Sequence, residues 1–464
     1  MTAANAAAGL GAVRVGELAE GDSNRSPRRA AWQQAHLDDA TRELLAEDAR
    51  WFLHQTLSTP CLDVLVAADG IWLEDRQGRR IMDFHGNSVH QVGFRNPRVL
   101  AAVREQLEAL PFSTRRFTNE PAIRLARELA RLAPGDLGRV LFTTSGATAM
   151  SAAIQLARVA TGRHKTVSMW DAFHGGTLDT ISVGGEAQFR AGIGPLLPGT
   201  EHVPPPEPYR CPFGCFDRTG ACDLTCAGYL EYVLEKEGDV AAVVAESVRN
   251  APYIPTAAYW QAVRAACNRH GALLILDEIP HALGRTGAMF TCENFGVEPD
   301  ILVIGKGLGG GVMPLAALIA RGDLNVAADR ALGHFTHEKS PVACAAGLAV
   351  LAEIEERGLV VHARELGAWT LARLRELAAR HPIVGDLRGL GLLLGIELVR
   401  DRATREAALA EADAFMYAAL ARGLNVKVTM GNVINLSPPL VITKEEMETA
   451  LAIIDAALAE VEAT

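Results

Sequence analysis

Two short runs of aliphatic residues constrain this chain most: Leu-Leu-Ile-Leu at 273–276 and Ile-Leu-Val-Ile at 301–304. Each is long enough for a strand buried on both faces and too short for a buried helix. Each ends in ionisable residues, Asp277-Glu278 after the first and Lys306, one glycine on, after the second. Charged groups resist removal from water, so a lysine and an acid at the ends of core strands need a reason. Around these runs, from about residue 97 to 330, strand-like and helix-like stretches alternate. VLFTTSG, KTVSMW, DVAAVVAES and LAALIAR read as further strands, and TAMSAAIQLARVATG and AAYWQAVRAACNRHG as helices ended by glycine. The alternation predicts an α/β domain on a mostly parallel sheet, with the two aliphatic strands at its centre.

The flanks read differently. Residues 1–30 form an alanine- and glycine-rich arm, expected to be flexible. Residues 31–96 hold a helix and a hairpin, GIWLEDRQGRRIMDF, turning at Arg76-Gln77-Gly78. This segment is expected to join a smaller α+β domain at 345–464, leaving 97–344 as the large domain. With 464 residues, 49% hydrophobic, the chain can bury more than one core. A net charge of −10 without a basic block argues against nucleic-acid or anionic-membrane partners. No basic start with an apolar run marks a leader, and no run is long enough to span a bilayer, so the expected location is the cytoplasm.

Of eight cysteines, four form CPFGC (Cys211, Cys215) and CDLTC (Cys222, Cys226) within a proline-rich insertion at about 204–228. Such pairs can hold zinc, but each encloses three residues rather than two and only six separate them. The preferred reading is reduced thiols and no metal.

Ligands of open α/β sheets bind at the carboxyl ends of the strands, and four features lie there. Ser145-Gly146-Ala147 opens a helix after a strand, which suits a phosphate. Phe173 and His174 precede two glycines, and a flat ring at that place can cover a flat cofactor. Asp277 could bind a metal, orient a base or pair with a protonated ring nitrogen; no second acid or histidine pair at ligand spacing accompanies it, which disfavours a metal. Lys306 lacks the following Ser or Thr of a phosphate-binding loop, and suits an aldehyde. Together these are the requirements of pyridoxal phosphate.

The order and spacing of these motifs resemble the class III, or omega-type, pyridoxal-phosphate aminotransferases of fold type I. LLILDEIPHALGRTG followed by PDILVIGKGLGGGVMPLAALIA carries the resemblance, which extends from about residue 60 to the end. It implies Lys306 as the Schiff-base lysine and Asp277 as the partner of the ring nitrogen. It also implies Gly146 and Ala147 at the phosphate, and Phe173 and His174 over the ring. Thr336 would reach the phosphate of a partner subunit, in a homodimer with shared sites. Arg388 would stand where some members hold a substrate carboxylate.

The departures are informative. Pro280 stands where the family commonly has glutamine, and Thr148 where it has glutamate at the phosphate cup. THEKSP (Thr336 to Pro341) replaces a glycine-rich turn. With DFHGNSVHQVGF, LPFSTRRFTN and SMWDAFHGGTLD, it resembles the bacterial ammonia-lyases that release ammonia from a hydroxylated aminoethylphosphonate. That resemblance implies a lyase in phosphonate breakdown, with Lys306 removing a proton and a general acid helping a hydroxyl to leave. For the phosphonate the candidates are Arg115 and Arg116, then Arg249 and Arg388; for the acid, His337, Lys339 or Thr148. The rival readings are an omega-transaminase, a phospho-lyase acting on phosphorylated amino alcohols, and an inactive binding protein.

Overall fold

A computed structural model describes residues 26–215 and 222–463. Most of the arm, residues 1–25, lies outside the described residues. Its last residues are not an arm: a helix spans Pro27–His36, with proline in its first turn and the Ser26 hydroxyl accepting from the Arg28 N–H.

The expected hairpin is present. Strands β1 (Leu65–Asp69), β2 (Trp72–Asp75) and β3 (Arg80–Asp83) pair in antiparallel succession. The large sheet follows: β4 (Leu137–Thr143), β5 (Lys165–Met169), β6 (Thr200–Val203), β7 (Val240–Glu246), β8 (Leu273–Asp277), β9 (Ile301–Ile304) and β10 (Ala316–Arg321). Their spatial order is β4-β10-β9-β8-β7-β5-β6. The two aliphatic runs are the inner strands β8 and β9, and every residue of β7, β8 and β9 is buried. Alternate residues serve two cores. Val244, Ile275 and Val303 share one with the helix Gly146–Thr161, whereas Val243, Leu274 and Leu302 share the other with Trp260. Burying each such side chain is worth about 1.5–3 kcal/mol, so two-sided burial fixes these strands firmly.

The sheet is mostly parallel, but β10 runs antiparallel to both β4 and β9. A third sheet holds β11 (Val384–Leu390) and β12 (Leu393–Asp401), with β13 (Glu406–Ala407) beside β12. After β14 (Leu424–Asn425), the chain adds β15 (Lys427–Thr429) and β16 (Val433–Leu436) to that sheet. β14 pairs in parallel with β3, so the N-terminal hairpin and the C-terminal region share a sheet. No helix among the described residues is long and apolar enough to cross a membrane.

Candidate active site

The carboxyl ends of the parallel strands meet in a cleft of about 450 Å³, a size suited to a cofactor and a small substrate. Glu246, at the end of β7, stands in register with Asp277 at the end of β8, and Asp277 with Val303 of β9. Lys306 follows three residues later at φ +45, in a tight glycine-rich turn. A side chain would not fit at Gly307, where a Cβ would lie 1.9 Å from Gln91 Oε1. The lysine is neither packed in the core nor released to bulk solvent. It rises from the floor of the cleft, exposed to the water there but surrounded by protein. That enclosure, with the charge of Lys427 beside it, pushes its pKa down to about 8, against the pull of Asp277 and Glu246.

Asp277 is buried and doubly fixed. His174 Nδ1 donates to its Oδ2 at 2.9 Å, and the Ile279 N–H donates to Oδ1 at 3.0 Å. His174, itself buried, has its Nε2 3.4 Å from Ser168 Oγ. Its evident work is to aim the carboxylate, a use that strand-end position alone did not reveal. Phe173 lies against Phe189, ring centroids 4.2 Å apart, on the cleft wall. Gly146 and Ala147 line the cleft at the start of the helix Gly146–Thr161. Ser145 and Thr148 close the helix end: the Thr148 N–H donates to Ser145 Oγ at 3.2 Å, and their hydroxyls lie 2.9 Å apart.

The arginine candidates separate. Arg249 lines the cleft, but its Nη1 donates to both oxygens of Glu246 at 3.1 Å and its Nη2 donates to Glu186. Arg388 is not among the cleft residues. It is buried between β11 and β12, donating to Asp386 at 2.7 Å and Glu397 at 2.6 Å, with Glu207 at 3.8 Å. Its charge is matched there by carboxylates, away from the cleft. Arg115 and Arg116 are exposed and outside the cleft. Arg115 donates to the Phe335 carbonyl at 3.2 Å and approaches Glu338 at 3.6 Å, and Asn119 donates to the Lys339 carbonyl at 2.9 Å. The segments LPFSTRRFTN and THEKSP therefore pack together on the surface, with Thr336, His337 and Lys339 exposed.

Two cleft residues, and a histidine near them, escaped the sequence reading. Lys427 of β15 reaches the cleft beside Lys306. Glu246 closes the row of strand-end acids, its carboxyl pushed up by burial against the pull of Arg249. His85, in DFHGNSVHQVGF, is driven down to about 3 by burial and by Lys427 and Lys306. An ionisable residue ending β7, as in β8, was the signal available for Glu246. Lys427 sits in an alternating strand whose inward face depends on how two sheets dock.

The residues present fit pyridoxal phosphate: an enclosed amine, a fixed carboxylate, a helix N-terminus and an aromatic wall around one cleft. The aminotransferase class-III family profile matches residues 55–458. The chain is 48% identical to the (R)-1-hydroxy-2-aminoethylphosphonate ammonia-lyase of Vibrio splendidus, over 95% of each chain. It is 36% identical to a leucine/methionine racemase of Thermococcus litoralis, over 90% of this chain and 96% of that one. Among solved structures, an (S)-enantioselective omega-transaminase from Thermomicrobium roseum superposes with a TM-score of 0.84 at 33% identity, covering 90% of this chain and 98% of that one. With profile, relatives and fold in agreement along nearly the whole length, the chain belongs to the class-III aminotransferase family, pyridoxal-phosphate enzymes of fold type I.

Proposed function

We propose that the chain is an ammonia-lyase that converts (R)-1-hydroxy-2-aminoethylphosphonate to phosphonoacetaldehyde and ammonia. The observation that carries this is the 48% identity to an ammonia-lyase so named, over 95% of both chains. The cleft supports it: a second lysine, Lys427, stands beside Lys306 where a dianionic substrate needs positive charge.

In this reading Lys306 would attach the cofactor, Asp277 would pair with its ring nitrogen, and the helix start at Gly146-Ala147 would hold its phosphate. Phe173 would cover it, and Thr336 of a second copy of the chain would complete the phosphate site. Bound, the cofactor supplies an electron sink beside the amine-bearing carbon. Asp277, aimed by His174, holds that sink in its electron-accepting form. Lys306 takes the proton from the amine-bearing carbon; an amine with its pKa near 8 is available as a base close to neutral pH. The electron pair released expels the hydroxyl from the neighbouring carbon. It leaves as water after accepting a proton, for which we assign His337 or Lys339 of the second copy, or Thr148. Water returns as ammonia departs, so one substrate gives one aldehyde and one ammonia. Lys427 holds the phosphonate, and Arg115 and Arg116 of the second copy frame the entrance.

The test is ammonia release by the holoenzyme from the aminophosphonate with no 2-oxo acid present. Continuous release, equal to aldehyde formed, is expected. A single turnover that resumes only on adding pyruvate or 2-oxoglutarate would make the chain a transaminase, and release of inorganic phosphate from phosphorylated amino alcohols would make it a phospho-lyase.

A further inference from the structure

The cysteine insertion has no part in the cleft, yet its thiols converge. Cys211, Cys215, Cys222 and Cys226 all line one cavity of about 30 Å³, walled otherwise largely by Pro205, Pro206, Pro208, Pro255 and Tyr259. Cys215 Sγ, Cys222 Sγ and a carboxylate oxygen of Asp223 lie within 4.8 Å of one another. The Cys222 thiol is hydrogen-bonded to Cys215, and Cys226 is close enough to feel both Cys222 and Cys211. These are not core fillers. Cys267, Cys292 and Cys344 fill that role, fully buried at separate places, whereas the four in the insertion are only half-buried and stand together.

We propose that Cys211, Cys215, Cys222 and Cys226 bind one zinc-class divalent cation in a closed, four-thiolate site. Zinc–sulfur bonds of about 2.3 Å place tetrahedral sulfurs roughly 3.8 Å apart; Cys215 and Cys222, already within 4.8 Å, reach that spacing by side-chain rotation, and Cys211 and Cys226 turn in from the wall of the same cavity. Asp223 is occupied elsewhere. Its Oδ1 accepts from the Thr225 N–H at 3.1 Å and from Thr225 Oγ1 at 2.8 Å, holding the start of the helix Thr225–Glu237. Cys226, in that helix's first turn, supplies the fourth ligand instead. A soft thiolate set selects zinc over the hard cations, and a site with four protein ligands leaves no open position for chemistry. Its work is structural. Between β6 and the cysteines, Arg210 meets Glu397 at 2.5 Å and the Tyr209 carbonyl accepts from Arg405 at 2.7 Å, so the insertion is docked on the C-terminal sheet. A cation would tie the far end of this brace to the helix Thr225–Glu237.

The test uses the full-length holoenzyme, reduced and dialysed free of metal, with zinc or cobalt alone as probe. One zinc per chain is expected, retained against a chromophoric chelator and shielding four thiols from a thiol reagent. Cobalt should give thiolate charge-transfer and tetrahedral d–d bands. Cys222→Ser and Cys226→Ser should each lose zinc uptake while keeping the bound-cofactor absorbance, and Asp223→Asn should keep both. A wild-type holoenzyme that takes up neither metal, or whose four thiols remain reactive in excess zinc, overturns the proposal without recourse to any variant. So does loss of the metal in Asp223→Asn equal to that in the cysteine variants.

Discussion

Lys306 and Lys427 illustrate how one side chain sets the chemistry of another. Two like charges in one cleft disfavour each other's protonation, so part of the depression of Lys306 to about 8 belongs to Lys427. Lys427→Gln removes that repulsion and should raise the Lys306 pKa. Its signature is a shift to higher pH in the acylation of Lys306 in cofactor-free protein, together with a KM for the aminophosphonate raised by about tenfold or more and a smaller change in kcat. An unmoved profile would remove Lys427 from the site. Glu278, beside Asp277, is wholly buried and accepts from Ser247 Oγ and from the N–H groups of Thr291 and Cys292, at 2.6, 2.6 and 2.7 Å. Burial still raises its pKa from 4.5 to about 7. Below pH 4.5 the acid is protonated folded and unfolded; between 4.5 and 7 the folded chain binds more protons, so stability falls as pH rises. Glu278→Gln cannot ionise. In urea titrations its stability relative to wild type should therefore improve across that window, by roughly 3 kcal/mol; a constant difference would count against the shift. Asp277 and Lys306 were legible in the sequence because each interrupts an aliphatic strand. Lys427 was not, because a lysine in an alternating strand looks the same whether it faces water or a cleft.

Elements were legible where hydrophobic pattern alone decides them, as in β8 and β9. Direction was less so: LAALIAR has the composition of a parallel core strand, yet β10 is antiparallel to both neighbours. The stretch Gly305–Leu315 joining it to β9 is too short for a helical crossover, and connection length was the cue. β6, only Thr200–Val203 at the sheet edge, has too few residues and too little apolar character to announce itself. Packing between elements makes one substitution act with opposite signs. In the helix Leu359–Ala378, a Cβ on Gly367 would lie 2.0 Å from the Gly391 carbonyl oxygen and 2.3 Å from its carbon, both backbone atoms of the β11–β12 turn. Gly391 cannot yield easily, because it is held at φ +58 against Arg285 and Thr286. Gly367→Ala should cost about 3 kcal/mol, since overpacking outweighs the gain of about 1 kcal/mol in helix propensity. Gly228, in the helix Thr225–Glu237, has a helical φ, and a Cβ there would meet nothing within 4 Å. Gly228→Ala should stabilise by about 0.5–1 kcal/mol. Thermal unfolding of the two variants checks both signs.

At the scale of the molecule, the proposed function draws one residue of the site, Thr336, from a second copy of the chain. Lys306, Asp277 and Gly146 line the cleft, but Thr336 does not, and it is exposed with His337 on a surface turn braced by Arg115. The segment LPFSTRRFTN beside it also exposes large apolar side chains, with Phe117 at 70% and Phe112 at 39% of their full accessibility. Such exposure is costly unless a partner covers it. A two-fold dimer would bring each THEKSP turn to the other chain's cleft, which follows from the family resemblance and from no contact within one chain. Complementation tests it directly. Lys306→Ala should be inactive, and Thr336→Ala should be inactive at limiting cofactor. After the two variants are unfolded together and refolded, random pairing makes about half of the dimers mixed, and each mixed dimer has one site carrying both native residues. Roughly a quarter of wild-type activity should return at limiting cofactor, whereas sites built from single chains would regain none.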